Sequence, residues 1–258
     1  MKVAILAGGK GTRLSEETIN KPKAMVEIGG HPILWHIMMH YSSFGFNEFV
    51  IALGYKGECI NRWMYEYCGL NQNSSRKVNG NAISFHNCGQ GPASWTVHLL
   101  KTGLKTLTGG RIKRLAPLMG DQTFMLTWCD AVTDIDLHAL LKFHRSHGRL
   151  ATVTAVHPPP RFGRLNLDGD KVTQFMEKPN NIDWISGAFF VLEPRVFDYI
   201  KGDNTQWERE PLEKLALEGQ LMAYKHVGFW QCMDTIREKQ LLEKMWQNGK
   251  ARWKTWKG

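Results

Sequence analysis

No stretch of the 258 residues stays apolar over the length that a helical bilayer span requires, so no transmembrane helix is expected. No run of five basic residues occurs either. Lys and Arg (33) exceed Asp and Glu (24) and leave a net charge of +9, but the surplus is scattered. Scattered cations suit small anionic metabolites better than nucleic acid or a membrane surface. The five cysteines (Cys59, Cys68, Cys88, Cys129 and Cys232) form no C-x-x-C pair and no metal-ligand spacing. Their odd number, and a start that runs directly into an apolar strand without a basic leader, predict reduced thiols in a cytoplasmic protein. Neither an internal repeat nor a low-complexity segment is visible. With 43% hydrophobic residues, global disorder is excluded and a sizeable core is expected.

What is present is concentrated at the start, "MKVAILAGGKGTRLSEETINKPKAM". Val3–Ala7 is short, apolar and partly β-branched, and reads as a buried strand. Gly8, Gly9 and Gly11 then remove side chains where the chain turns, so that backbone N–H groups approach an anion closely. Arg13, Lys21 and Lys23 add positive charge. The spacing matches neither a P-loop, since Gly-Lys-Ser/Thr is absent, nor the dinucleotide fingerprint, since Leu14 stands where the third glycine belongs. On these residues alone, a phosphate cradle and a plain glycine-rich turn are both open.

Strand and helix patterns alternate through the first half. Strands are expected at 3–7, 48–53, 82–86, 95–100 and 123–128. Helices are expected at 32–44, 57–67, 108–115 (with Thr108 as N-cap) and 137–147. Such alternation predicts βαβ units and a mainly parallel sheet. In the second half, strands are expected at 150–156, 184–192 and 221–227, and helices at 211–218 and 236–247. Asp168-Gly169-Asp170 between two short apolar runs signals a hairpin, and residues 158–183 read as an insert over a pocket. No linker divides the chain, so one domain over 1–258 is expected. Trp246, Trp253 and Trp256 are expected to anchor a C-terminal tail, on the body or on another subunit. His36 and His40 stand at i, i+4 but lack the H-E-x-x-H context, and read as a packed or surface pair.

Asp130 follows the strand at 123–128, and ligands of open parallel sheets bind at strand carboxyl ends. Asp234 follows a second apolar stretch. Two such carboxylates suit a hard divalent cation, while helix caps or solvated loop acids are the plainer reading.

The opening segment resembles the sugar-1-phosphate nucleotidyltransferases, whose signature is G-G-x-G-T-R-L followed by K-P-K. "TGGRIKR", "RFGRL", "FMEKP", "GFWQCMDT" and "WKTW" extend the resemblance, in order along nearly the whole chain, to the glucose-1-phosphate cytidylyltransferases. The resemblance implies an α/β fold: a Rossmann-like, mostly parallel mixed sheet flanked by helices, glycosyltransferase-A-like, with a small hairpin over the pocket. About 1–150 would form the nucleotide half, and about 151–258 the sugar half with the terminal helix. It implies cytidylyl transfer from CTP to α-D-glucose 1-phosphate, giving CDP-glucose and pyrophosphate, with Mg²⁺ as cofactor, in a homo-oligomer that is commonly a hexamer; the alternatives are the same chemistry with a different sugar 1-phosphate or NTP, such as UTP, or a non-catalytic nucleotide-sugar binding protein.

Carried onto this sequence, the resemblance makes Arg13, Lys23 and Lys178 catalytic. Leu6, Ala7, Gly8, Gly9, Gly11, Thr12, Thr106, Arg111 and Asp130 would bind nucleotide. Glu177, Lys178, Ser186 and Gly187 would bind sugar, and Asp130 and Asp234 the metal. The chain departs from the family pattern at four places. Cys129-Asp130-Ala131 replaces Gly-Asp-Gly, which puts a Cβ where positive φ is expected. Ser186 replaces an amide, Arg164 a small residue and Cys232 a proline.

Overall fold

A computed structural model describes residues 1–68, 75–88, 94–159, 163–177 and 183–256. Strand β1 (Lys2–Ala7) runs into the glycine loop, a 3-10 turn at Thr12–Leu14 and the short α1 (Ser15–Thr18). The ribbon of β2 (Glu27–Ile28) and β3 (His31–Pro32) leads to α2 (Ile33–Ser43), β4 (Glu48–Leu53) and α3 (Gly57–Cys68). There follow β5 (Ser75–Asn79), β6 (Ala82–Cys88), β7 (Trp95–Lys101), α4 (Thr108–Met119), β8 (Phe124–Trp128) and β9 (Ala131–Thr133). Helix α5 (Leu137–His147) precedes β10 (Ala151–Val156), the hairpin β11 (Arg164–Asp168) with β12 (Lys171–Met176), and β13 (Ile185–Leu192). The last elements are α6 (Glu210–Leu217), β14 (Leu221–Lys225), β15 (Trp230–Cys232) and α7 (Ile236–Gln247).

Nine strands make one mixed sheet in the order β14-β10-β13-β8-β1-β4-β7-β6-β5. Its centre, β8-β1-β4-β7, is parallel. Both faces of that centre are covered, which is why its strands read as unbroken apolar runs. Val3, Ile5, Phe49 and Ile51 pack in one core with Ile33 and Met38 of α2, Ile60 of α3 and Leu242 of α7. Ala4, Leu6, Val50 and Ala52, one residue out of phase, pack in the other with Ile112 and Leu115 of α4 and Leu215 of α6. The two-residue period of a strand sorts its side chains between the two layers. Parallel order also puts the carboxyl ends of β1, β4, β7 and β8 at one edge, so the loops that follow them meet there.

Several expectations are corrected. Thr108 is the first residue of α4, not its N-cap; its hydroxyl donates to Glu208 at 2.5 Å and accepts the Trp207 N–H at 2.9 Å. The expectation of reduced thiols fails for one pair: Cys68, closing α3, and Cys88, closing β6, have Cα atoms 4.6 Å apart and form a disulfide. Twenty residues separate them in sequence, so their meeting depends on α3 packing beside β6 and leaves no short motif. Cys59, Cys129 and Cys232 are free. The hairpin forms with Gly169 at φ 56° in its two-residue turn. Leu165, Leu167, Val172 and Phe175 on it are exposed.

The tryptophan tail folds onto the body. Trp253 is fully buried and Trp246 and Trp256 pack around His36 and Trp35 of α2. His36 and His40 are buried in this layer, with His36 Nε2 on the Ile28 carbonyl and His40 Nδ1 on Thr255. They are a packed pair. No helix of the described residues is long and apolar enough to cross a membrane.

Candidate active site

The glycine loop leaves β1 at the carboxyl edge of the sheet. Gly11 has φ 65°, and a Cβ on it would come within 2.9 Å of Thr18 and 3.2 Å of Lys23. The glycine thus supplies the left-handed turn and lets Lys23 approach. The Thr18 hydroxyl ties α1 back to the Gly11 carbonyl at 3.1 Å. Lys23 follows Pro22 in a 3-10 turn, Lys23–Met25, and is largely buried.

Two carboxylates converge on that lysine. Lys23 Nζ lies 3.1 Å from Asp130 Oδ2 and 2.5 Å from Asp234 Oδ1. Arg13 NH1 sits 2.8 Å from Asp234 Oδ2. Burial pulls the Lys23 pKa down, but Asp130 and Asp234 outweigh it and the ammonium is held above its ordinary value. The aspartates are brought together by a small antiparallel ribbon in which Cys232 of β15 pairs with Ala131 of β9. The Met233 N–H donates to the Asp130 carbonyl at 2.8 Å, so the residues flanking that pair face each other.

Ala131 begins β9 and is not among the positive-φ residues, so its Cβ costs nothing there. Glu238 completes the arrangement. Its Oε2 accepts the N–H groups of Asp234 (2.7 Å) and Thr235 (3.0 Å), and Thr235 Oγ1 accepts the Glu238 N–H. This capping box starts α7 and orients Asp234. Its signature, Thr-x-x-Glu, is present in the sequence and is absent from the expectations above.

Arg111 of α4 lines the site and also braces the strands behind it. Its guanidinium is buried and donates to the carbonyls of Gly8 and Leu53, each at 3.2 Å, and to Thr102 Oγ1 at 2.6 Å. One side chain therefore joins the ends of β1, β4 and β7. A Cβ on Gly8 would lie 2.4 Å from it, which explains that glycine. Burial, then Arg114, lower its pKa.

These groups line a cavity of about 410 Å³. Among its walls are Leu6, Ala7, Gly8, Gly9, Gly11, Thr12, Thr106 and Arg111, together with Arg13, Lys23, Asp130 and Asp234. Lys10, Lys105 and Gln206 also line it and were not expected. Lys10 stands inside the glycine motif and was legible there. Gln206 arrives on a loop pinned to α4 by Leu107 N–H to Asp203 O (2.8 Å) and Gly109 N–H to Thr205 O (2.9 Å), which no local signal announces.

The proposed sugar residues stand apart. Glu177, Ser186 and Gly187 do not line this cavity, nor does any described residue of the hairpin. Gly187 is buried, and a Cβ there would strike Val156 at 2.9 Å, so strand packing against β10 explains it. Lys178 lies outside the described residues. Lys21 pairs with Glu17 and Glu27, away from the cavity. The Cys129 thiol is pushed up to about 12 by burial and then by Asp130.

A family model described as nucleotidyl transferase matches residues 2–231. The chain belongs to the nucleotidyl transferase family. It is 50% identical over 258 residues to the glucose-1-phosphate cytidylyltransferase of Salmonella typhi, covering 99% of this chain and all of that enzyme. It is 43% identical over 257 residues to a probable glucose-1-phosphate cytidylyltransferase of Bacillus subtilis (strain 168), again covering 99% of this chain and all of the relative. Within the family this nucleotidyltransferase therefore groups with the glucose-1-phosphate cytidylyltransferases. Among solved structures, HddC from Yersinia pseudotuberculosis superposes with a TM-score of 0.71 at 21% identity, over 95% of this chain and 99% of that one, which supports the fold. Members of the family generally use a divalent metal. The residues present fit one: Asp130 and Asp234 already converge on a single cationic atom, and carboxylate oxygens suit a hard divalent ion.

Proposed function

We propose that the chain transfers a cytidylyl group from CTP to α-D-glucose 1-phosphate, giving CDP-glucose and pyrophosphate. An oxygen of the sugar phosphate attacks the α-phosphorus in line, the new P–O bond forms, and the bond to pyrophosphate breaks. Both reactants are polyanions, so charge neutralisation and positioning carry most of the catalysis.

The Gly8–Gly11 loop presents its backbone to the nucleotide. Arg13, exposed at the rim, clamps the leaving pyrophosphate with a planar fork. Lys23 sits where charge builds on the α-phosphate. Thr106 faces the nucleotide, and Arg111 holds the strand ends that shape its site. Asp130 and Asp234 would hold Mg²⁺, which supplies charge neutralisation of the phosphates when bound. Glu177, Lys178, Ser186 and Gly187 belong to the sugar side in this reading, and the working unit is a homo-oligomer.

The observation that carries the reading is the convergence of Arg13, Lys23, Asp130 and Asp234 beside the glycine loop. It is tested by pyrophosphate release with each of four NTPs against a panel of sugar 1-phosphates. CTP with glucose 1-phosphate is expected to be the best pair by kcat/KM. Preference for UTP or for mannose 1-phosphate overturns the specificity, and no turnover with any pair overturns the activity.

A further inference from the structure

We propose that Asp134 is a positioning residue of the reaction and that the tryptophan tail works through it. Together they clamp the far end of the ribbon whose near end carries Asp130 and Asp234. The proposal rests on reading those two aspartates as the metal pair.

The ribbon of β9 and β15 has three residues in each strand and forms a sheet of its own beside the nine-stranded one. Two strands of that length do not hold a register unaided. At the site end, the Met233 N–H on the Asp130 carbonyl and the Glu238 box hold it. At the other end the hub is Asp134. Its Oδ1 accepts the Phe229 N–H at 2.7 Å and lies 3.0 Å from His226 Nε2. Its Oδ2 accepts a bond from Arg252 at 2.8 Å. Its own N–H donates to the Phe229 carbonyl at 3.1 Å, and Thr133 Oγ1 donates to the same carbonyl at 2.8 Å. A Cβ on Gly228 would lie 2.4 Å from Asp134 Oδ1, so the turn before β15 is shaped around this carboxylate.

The tail supplies the outer half of the clamp. The Arg252 guanidinium sits over the Phe229 ring at 5.8 Å, and Trp253 stacks on that ring at 5.7 Å. Trp253 Nε1 donates in turn to His36 Nδ1 at 3.3 Å, which fixes the tail to α2. Phe229 is therefore held by its backbone through Asp134 and by its ring through the tail. None of Asp134, Arg252 and Trp253 lines the cavity. A partly exposed Arg–Asp pair contributes little stability by itself, so its use here is geometric. Asp130 and Asp234 stand on opposite strands of the ribbon, and splaying at the Asp134–Phe229 end changes their separation at the other. Trp230, inside the ribbon, donates its indole N–H to the Gly187 carbonyl at 2.9 Å, so a ribbon that slips also releases β13.

The test compares Asp134→Ala, Asp134→Asn and Arg252→Met with the wild type. Hydrogen exchange of residues 229–235, followed by mass spectrometry in the ligand-free protein, reads opening of the ribbon. The Mg²⁺ concentration for half-maximal pyrophosphate release reads the aspartate pair. Asp134→Ala should speed that exchange about tenfold and raise the Mg²⁺ requirement about tenfold or more. Arg252→Met, at a side chain 58% exposed that does not threaten folding, should move both in the same direction by roughly threefold. Asp134→Asn keeps an acceptor for the Phe229 N–H and should recover most of both losses. Exchange that is unchanged in Asp134→Ala and Arg252→Met, or that quickens with no change in the Mg²⁺ requirement, overturns the positioning role. Failure of the metal-pair reading looks different: Asp234→Asn then keeps the wild-type Mg²⁺ requirement.

Discussion

Glu238 makes the most searching test of how the site is held, because it touches neither cavity nor phosphate and acts through Asp234. Its carboxylate accepts two N–H groups, from Asp234 at 2.7 Å and Thr235 at 3.0 Å, and is itself 8% exposed. Glu238→Ala leaves two half-buried donors without their charged acceptor. Bonds to a charged group contribute roughly 1.5–3 kcal/mol each, of which water returns part, so a net loss of about 3 kcal/mol is expected. At roughly 2–4 °C per kcal/mol for a chain of this size, Tm falls by about 6–12 °C in differential scanning fluorimetry.

The second readout separates positioning from mere support. If the box aims Asp234, loss of its anchor should raise the Mg²⁺ concentration for half-maximal pyrophosphate release by roughly 10–100-fold. Glu238→Gln keeps an acceptor oxygen for the same N–H groups and should recover most of both losses. An unchanged Mg²⁺ requirement in Glu238→Ala, whatever happens to Tm, would show that the box serves the helix alone and that Asp234 needs no aiming.

The Cys68–Cys88 disulfide, closing a sequence separation of 20 residues, should stabilise the oxidised chain by about 3 kcal/mol through loop-closure entropy. Thiol titration in denaturant should find three thiols before reduction and five after, and five throughout would refute the bond. Acid should destabilise the protein through His36 and His40, whose rings burial pushes from 6.5 to about 4. Between those values the unfolded chain binds protons that the folded chain refuses, so stability falls as pH drops from 6.5 towards 4, by about 3 kcal/mol per ring at the bottom of the window. Denaturant titrations of His36→Asn/His40→Asn against wild type should show a flatter pH profile for the variant, and equal slopes would count against the burial argument.

Elements with a strong periodic pattern were legible from residues alone. The helices Leu137–His147 and Ile236–Gln247 fall on their expected bounds. The apolar strands 3–7, 48–53 and 95–100 lie within a residue or so of those observed, because burial on both faces leaves little freedom in composition. The two-residue β2 and β3 and the three-residue β9 and β15 escaped notice. At that length no period can register, and such strands exist only because a partner arrives to pair with them. The expectation of reduced thiols failed for a related reason: spacing along the chain carries no information on which helix end packs beside which strand end.

The local chemistry was in the sequence. A glycine loop after an apolar strand, Arg13 and Lys23 behind it, and an aspartate at a strand end follow from short-range rules of turn geometry and charge. Which partners those groups take was decided by tertiary structure. Only the pairing of Cys232 with Ala131 brings Asp130 beside Asp234, and only the insertion of α4 buries Arg111 under Gly8 and Gly54, where it braces the strand ends. The physical reason is range. Backbone conformation and burial pattern are settled among neighbours a few residues apart, whereas an ion pair across 107 or 211 residues forms only when a whole sheet has brought its edges together.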